Sequence, residues 1–267
     1  MVLLVQILRG PVASLRENRC AGDRHRLVRK TFGEATLWNF ENTKDSPLGM
    51  PSSEAMSKFR RMEYAPEDFY EQFPCFVGAK WLGRYMSFYE CYKKTLGIAG
   101  HIADVGTHRG AVALFFAKLS LLYEPHSITQ VHGFDLFERG ETVDGEKGIT
   151  YVETYARVKY LIETQGLQRY ALMHQLNILS ELKGFFEQHP HLQFRLVFLD
   201  VGEYDLVSVS LREFWPRLTP GGIVIFDQFN FEAAPGETKA VKEFLPPSAV
   251  IRTFPNGWMP TAYVVKE

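Results

Sequence analysis

Residues 101–120 read HIADVGTHRGAVALFFAKLS. The stretch begins with a short apolar run, passes through a turn that contains Gly106 and Gly110, and continues as an apolar run whose first charge is Lys118. This order predicts a strand, a glycine turn and a helix, an arrangement that many proteins use to hold a nucleotide-like cofactor. The two glycines are spaced GxxxG rather than GxGxxG, so the choice of cofactor depends on the rest of the chain.

The bulk composition is that of an ordinary globular protein. The 267 residues are 46% hydrophobic and 23% charged, and the formal net charge is -1. Proteins that bind nucleic acids usually carry a strong basic excess, so no nucleic-acid partner is expected. The apolar opening MVLLVQIL ends at Arg9 and is too short for a signal peptide or a bilayer span, which predicts a cytoplasmic protein without a membrane partner. The widely spaced cysteines agree with a reducing compartment.

Two regions precede the quoted stretch. Residues 1–55 show no steady period and are predicted to be an N-terminal extension or linker. The basic segment between Arg9 and Lys30 suits an anion-binding arm or a solvated lead-in. Residues 56–100 are expected to form a helical lead-in that packs on the core and covers a substrate site.

The lead-in is rich in aromatic residues at helical spacing, which predicts two helices within 66–96 with an apolar face. Its aromatic side chains and Arg84 would also suit a substrate pocket, and the same face would suit a homo-oligomer interface. The residues that set this pattern are Trp81, Tyr85, Phe88 and Tyr92.

From His101 onward, strand and helix patterns alternate. This alternation predicts an α/β fold with a doubly wound, mostly parallel, seven-stranded sheet. The predicted strands are 101–105, 130–135, 171–176, 195–200, 222–227, 250–254 and 261–266, and the predicted helices are 111–122, 151–165, 180–188 and 205–217. The turn PNGWMP between the last two strands is short, so these strands should pair as an antiparallel hairpin.

Three predicted strands end in an acid: Asp135, Asp200 and Asp227. The carboxyl ends of parallel strands form the ligand-binding edge of an open sheet, so these acids should converge there. Each acid alone would also serve as a helix cap. Asp135 suits the two hydroxyls of a ribose. Because the GTHRGA turn lacks the central glycine of a phosphate cradle, the pattern favours S-adenosylmethionine over a dinucleotide, with a nicotinamide dehydrogenase as the distant alternative.

The tail of the domain adds the antiparallel last strand, which a six-stranded dinucleotide fold does not need. Over roughly residues 70–267 the chain resembles class I S-adenosylmethionine-dependent methyltransferases, and among them the macrocin O-methyltransferase family, which methylates sugar hydroxyls. Residues 101–267 would then be the methyltransferase domain. The matching pieces, in order, are FPCFVGAKWLGRYMSFYECYKKTL, ADVGTHRGA, GFDLFE, LDVGEYD, LTPGG, FDQFN and PGET.

The resemblance implies a set of site residues. The cofactor pocket would contain Asp104, Gly106, Thr107, Gly110, Asp135, Leu136, Asn177, Ile178 and Asp200. A divalent ion, usually Mg²⁺, would be held by Asp200, Asp227 and Gln228, because a hard cation prefers oxygen ligands. Gln228 and Gly202 each stand where the family pattern has an acid. The site therefore has less negative charge than the pattern implies, and metal dependence stays open.

Sugar methylation requires a base or a metal, because a sugar hydroxyl is a poor nucleophile. The candidate catalytic residues are Asp200 and His108, although His108 would also suit a solvent-facing position without a role. Asn230 and Glu237, beyond strand five, would contact the acceptor or anchor the loop and helix start. The expected function is O-methylation of a hydroxyl of a sugar, a glycosylated metabolite or a glycan, with a small-molecule or glycan acceptor as the partner. The alternatives are methylation of an amine or other non-sugar metabolite, and a non-catalytic module on the same fold.

Overall fold

The computed structural model describes residues 67–137, 151–255 and 258–267. The predicted extension at 1–55 therefore lies outside the described residues. The helices are α1 (Asp68–Glu71), α2 (Ala79–Lys94), α3 (Ala111–Tyr123), α4 (Tyr151–Thr164), α5 (Ile178–Gln188), α6 (Tyr204–Arg217) and α7 (Pro235–Phe244), with a 3₁₀ turn at Phe73–Cys75. The strands are β1 (His101–Val105), β2 (Val131–Asp135), β3 (Ala171–Gln175), β4 (Phe194–Leu199), β5 (Leu218–Phe226), β6 (Ile251–Thr253) and β7 (Ala262–Val265).

The seven strands form one sheet in the order β3-β2-β1-β4-β5-β7-β6. β1 to β5 are parallel to one another, and β7 runs antiparallel to both β5 and β6. The predicted sheet and its terminal hairpin are confirmed. The direction in which successive strands are added changes between β1 and β4. The carboxyl ends of these two strands therefore border the crevice where ligands bind in such sheets.

Helices cover both faces of the sheet. Alternate residues of the central strands point to opposite sides, and both sets are mostly apolar, so both faces must be buried. On one face, Ile102 of β1 and Phe198 of β4 pack in the apolar cluster that contains Phe88 and Phe116 of helices α2 and α3. On the other face, Ala103 and Val197 pack with residues of α5, α6 and α7. The two apolar layers hold the strand ends, and therefore the strand-end acids, in fixed positions.

Strand five begins earlier than the sequence predicts. The predicted strand is 222–227, whereas β5 starts at Leu218, which pairs with Phe194 before the register shifts. The LTPGG residues resemble a turn locally, but pairing with β4 draws them into the sheet edge. No helix of the described residues is long and apolar enough to cross a bilayer.

Candidate active site

A cavity of about 510 Å³ opens where β1, β2 and β4 end. This volume is in the range of small-molecule sites. Its lining includes seven of the residues that the sequence assigned to the site, together with three that it did not. The ten lining residues are Gly106, His108, Asp135, Leu136, Asn177, Ile178, Leu179, Asp200, Val201 and Leu206.

The turn after β1 depends on glycine for backbone reasons. Gly106 has φ +88, and a Cβ there would lie 2.2 Å from the carbonyl oxygen of Asp200, so no other residue fits. Gly110 has φ +80, and a Cβ there would lie 2.8 Å from a methyl of Val158. Gly106 lines the cavity, whereas Gly110 is buried against helix α4 and does not line it. Gly110 therefore shapes the turn and the start of α3.

Asp135, the last residue of β2, joins the two loops beside the cavity. One carboxylate oxygen accepts a hydrogen bond from the backbone N–H of His108 at 2.8 Å, and the other accepts one from the backbone N–H of Phe137 at 2.7 Å. His108 and Phe137 both have positive φ, +49 and +54, which costs a non-glycine residue free energy. Asp135 thus holds two strained loop residues in place and still faces the cavity.

Asp104 and Thr107 lie beneath the cavity rather than in its wall. The Asp104 carboxylate accepts a hydrogen bond from the backbone N–H of Ala113 in the first turn of α3, at 2.9 Å. Thr107 donates its hydroxyl to the carbonyl of Asp104 at 2.7 Å. Burial, reinforced by the nearby Asp200 charge, raises the pKa of Asp104 to about 8. These two residues brace the turn that Gly106 and His108 present to the cavity.

The opposite wall of the cavity starts at Asn177. Its side-chain oxygen caps helix α5 by accepting hydrogen bonds from the backbone N–H groups of Leu179 and Ser180. Leu136 and Leu179 are large apolar residues whose exposure reaches 38% and 50%, and both line this cavity. Apolar side chains in a cavity wall suit a ligand with an apolar part.

The other two strand-end acids share one arginine. Arg84 of α2 donates from Nη2 to Asp200 at 3.2 Å and from Nη1 to Asp227. The Arg84 side chain is 11% exposed, and those of Asp200 and Asp227 are 32% and 4% exposed. Burial raises the pKa of Asp227 to about 7, repulsion from Asp200 adds to this shift, and Arg84 opposes it. Burial also raises the pKa of Asp200.

The donor set around these acids does not fit the Mg²⁺ ion that the resemblance implies. Asp200 and Asp227 do meet, but the Arg84 guanidinium bridges the two carboxylates. Gln228 has no charge, and its side-chain oxygen would lie 2.4 Å from a Cβ at Gly202, so that glycine leaves room for the amide. Within residues 67–137, 151–255 and 258–267, no group of three or more His, Cys, Asp or Glu side chains is arranged to hold a metal ion.

Glu237, in the first turn of α7, lies behind the acids. Its side chain is fully buried, and one oxygen accepts a hydrogen bond from the backbone N–H of Gln228 at 2.7 Å. Burial raises the pKa of Glu237 to about 8. Of the two roles open for Glu237, this contact matches loop anchoring, because it fixes the chain that leaves β5.

A second cavity of about 400 Å³ lies beyond strand β5. Two of its lining residues, Phe229 and Asn230, follow Asp227 closely in the sequence. The cavity also adjoins α2, where the Lys80 ammonium lies 3.2 Å from the centre of the Trp258 ring. The lining residues are Phe229, Asn230, Ile251, Arg252, Thr253, Trp258, Thr261 and Ala262.

The sequence missed several contributors to the site. Leu179, Val201 and Leu206 belong to the cavity wall through the loops after β3 and β4, and they have no motif of their own. Arg84 had a readable signal: it shares one helix stripe with the buried Phe88 and Tyr92, and a charged residue on a buried stripe needs an opposite charge.

Sequence comparison gives the class of protein. Residues 103–229 match a family described as a methyltransferase domain. That segment spans β1 to the end of β5 and includes Asp135, Asp200 and Asp227, and the sheet order is that of class I methyltransferases. Residues 103–229, just under half of the chain, therefore form a methyltransferase domain of the S-adenosylmethionine-dependent class. No curated protein sequence is significantly similar to it.

Solved structures add particular relatives. The structure of CalS11, described as a calicheamicin methyltransferase, has a TM-score of 0.70 at 20% identity and covers 93% of this chain and 99% of that chain. Apo CalS11, described as a TDP-rhamnose 3'-O-methyltransferase, has a TM-score of 0.66 at 22% identity, with 81% and 96% covered. The O-methyltransferase NovP has a TM-score of 0.54 at 17% identity, with 69% and 79% covered. At these identities the likeness shows a common fold.

Proposed function

We propose that this methyltransferase transfers a methyl group from S-adenosylmethionine to a hydroxyl of a sugar or glycosylated small molecule. The observation that carries the proposal is that Asp135 and Asp200, at the ends of β2 and β4, line one cavity. The first suits a ribose and the second a reacting hydroxyl. The resemblance to macrocin O-methyltransferases supports a sugar acceptor, as does the fold shared with CalS11, a TDP-rhamnose 3'-O-methyltransferase. The fold shared with the O-methyltransferase NovP supports transfer to oxygen.

The 510 Å³ cavity fits the cofactor in size and chemistry. In the proposal Asp135 would accept hydrogen bonds from the ribose hydroxyls, and Leu136, Leu179 and Asn177 would hold the adenine. Gly106 lets the backbone of the turn approach the ligand. When bound, S-adenosylmethionine supplies a methyl group on a positively charged sulfur, and the S–CH₃ bond breaks with its electron pair going to sulfur as the O–CH₃ bond forms.

Asp200 is the proposed general base. Its side chain is partly exposed beside the cavity, and burial of the rest raises its pKa towards the range in which a carboxylate accepts a proton efficiently. Asp200 takes the acceptor hydroxyl proton on a carboxylate oxygen, while Arg84 fixes the orientation of that carboxylate. His108 lines the same cavity and is the second candidate for this role.

The acceptor is proposed to occupy the 400 Å³ cavity beyond β5. Trp258 and Phe229 offer aromatic surfaces for the apolar face of a sugar ring, and Asn230 and Thr261 carry groups that hydrogen-bond hydroxyls. Arg252, an exposed residue of β6, suits the phosphate of a nucleotide sugar. These residues would set the acceptor class.

The test is acceptor profiling with the full chain. The protein is incubated with S-adenosylmethionine and with panels of nucleotide sugars, glycosides, phenols and amines, and products are detected by mass spectrometry together with S-adenosylhomocysteine formation. Methylation confined to sugar hydroxyls is the expected result. Methylation of amines or phenols instead would replace the acceptor class, and absence of transfer to every panel despite cofactor binding would favour the non-catalytic module.

A further inference from the structure

We infer that Arg84 is the resident cation of the strand-end carboxylates, so that a side chain, and not a divalent metal ion, neutralises and orients Asp200 and Asp227. The inference rests on the proposed function for its catalytic meaning. The geometry itself stands independently, because one guanidinium donates from two different nitrogens to two carboxylates that come from neighbouring strands.

Arg84 is held in this position by its surroundings. The centre of its guanidinium lies 5.2 Å from the centre of the Phe88 ring and 5.5 Å from that of Phe198. Both rings are buried, so the aromatic surfaces support the guanidinium while its edge points to the acids. A divalent ion bound by both carboxylates would lie against this positive charge and would be repelled by it.

The neighbouring positions match this assignment. Gln228 and Gly202 contribute no charge, and the Gln228 side chain occupies the space that a side chain at Gly202 would need. An acidic side chain at position 202 would clash with the side chain of Gln228 in its present position. The carboxylates that contact the cation are therefore Asp200 and Asp227, and Glu237 lies one layer behind, held on the backbone N–H of Gln228.

The consequence concerns the carboxylate that faces the acceptor. Asp200 is the more exposed of the pair and lines the cofactor cavity, whereas Asp227 is almost fully buried. Arg84 anchors to the buried acid and holds the exposed one, which makes it a positioning residue. A metal ion would instead occupy carboxylate oxygens and contact the acceptor directly.

The test is Mn²⁺ binding, measured by electron paramagnetic resonance on the full-length protein without acceptor. Wild type should bind Mn²⁺ weakly, and Arg84→Gln should bind it about tenfold more tightly or better, because a positive charge leaves the carboxylates. Arg84→Lys keeps the charge and should stay weak. Lys93→Gln removes an exposed positive charge near the end of the same helix and should behave as wild type.

Tight Mn²⁺ binding by wild type would overturn the inference, and so would equally weak binding by wild type and Arg84→Gln. If Arg84→Gln does not fold, wild type and Arg84→Lys still show whether the protein binds Mn²⁺ tightly while a positive charge is present at position 84. Where an acceptor is known, wild-type methyl transfer should withstand EDTA, and its loss in EDTA with recovery in Mg²⁺ would also overturn the inference. Failure of the proposed function is recognised separately, as absence of S-adenosylhomocysteine binding by calorimetry.

Discussion

Replacing Asp135 by Asn tests the cofactor assignment most directly, because the change keeps the shape and removes the charge. In the wild type both carboxylate oxygens accept backbone hydrogen bonds, at 2.8 and 2.7 Å. Asn offers one acceptor oxygen, and its NH₂ group would face a backbone N–H. One of the two backbone donors then loses its partner. Since the His108 N–H is exposed, water can replace that bond, and the folding cost is about 1 kcal/mol or less.

The effect on the cofactor follows from the same chemistry. Ribose hydroxyls that donate to a carboxylate make charge-assisted bonds, each worth about 1.5–3 kcal/mol, and a neutral amide forfeits much of this. Since 1.4 kcal/mol is a factor of ten, we expect S-adenosylhomocysteine to bind about 10–100-fold more weakly to Asp135→Asn. Loosening of the strained residues His108 and Phe137 acts in the same direction.

The assay is titration calorimetry with S-adenosylhomocysteine, paired with urea denaturation to show that the variant is folded. Glu163→Gln is the control, since it removes one exposed negative charge from helix α4. A dissociation constant within about twofold of wild type in a folded Asp135→Asn protein would refute the assignment of this cavity wall to the ribose. A similar loss in Glu163→Gln would show that net charge alone is responsible.

Three further outcomes are expected. Asp200→Asn should lower kcat by about 10²–10⁴ with cofactor affinity retained, whereas His108→Gln should lower it less than about tenfold, both measured by methyl-transfer kinetics. Glu124→Gln should lower the free energy of unfolding in urea by about 3–5 kcal/mol, because Glu124 pairs with the buried Arg195. Burial lowers the pKa of His132 to about 3, so its contribution to stability should fall as pH drops below about 6.5, by about 2 kcal/mol at pH 5, and His132→Phe should remove that share of the loss.

The pH prediction has a definite sign. In the unfolded chain a histidine takes up a proton near pH 6.5, while His132 stays neutral in the fold, so the unfolded state binds more protons in acid. The window runs from about 6.5 down to about 3. The Nε2 atom of His174 lies 3.0 Å from the Nδ1 atom of His132. Burial also lowers the pKa of His174, to about 4. Unchanged stability between pH 7 and 5 would contradict a neutral buried His132.

The part of the fold that the sequence predicted well is the part in which local pattern and burial agree. The quoted stretch forms β1 at His101–Val105 and α3 at Ala111–Tyr123, within a residue or so of the prediction. Strand β1 is mostly apolar because helices cover both of its faces. Helix α3 begins directly after Gly110, which adopts positive φ. Strand-end acids were readable because a buried strand that stops at an acid marks the sheet edge.

What the sequence could not give depends on contacts between distant segments. Arg84 is separated from Asp200 by 116 residues and from Asp227 by 143, and no short-range pattern encodes such a pairing. The start of β5 was misplaced because TPGG is a strong turn signal that pairing with β4 overrides. Leu206 lies in the first turn of α6 and lines the cavity only because the loop after β4 brings that turn there.

Helix α2 is fastened to the sheet at both ends by buried arginines. Near its start, Arg84 reaches Asp200 and Asp227 beside the cavity. Just beyond its end, the carbonyl of Thr95 accepts a hydrogen bond from Arg195 of β4 at 3.2 Å, and Arg195 is paired with Glu124 after α3. Breaking a buried ion pair is costly, so α2 cannot swing away from the strand ends at low cost. Helix α2 is therefore part of the site and its electrostatics.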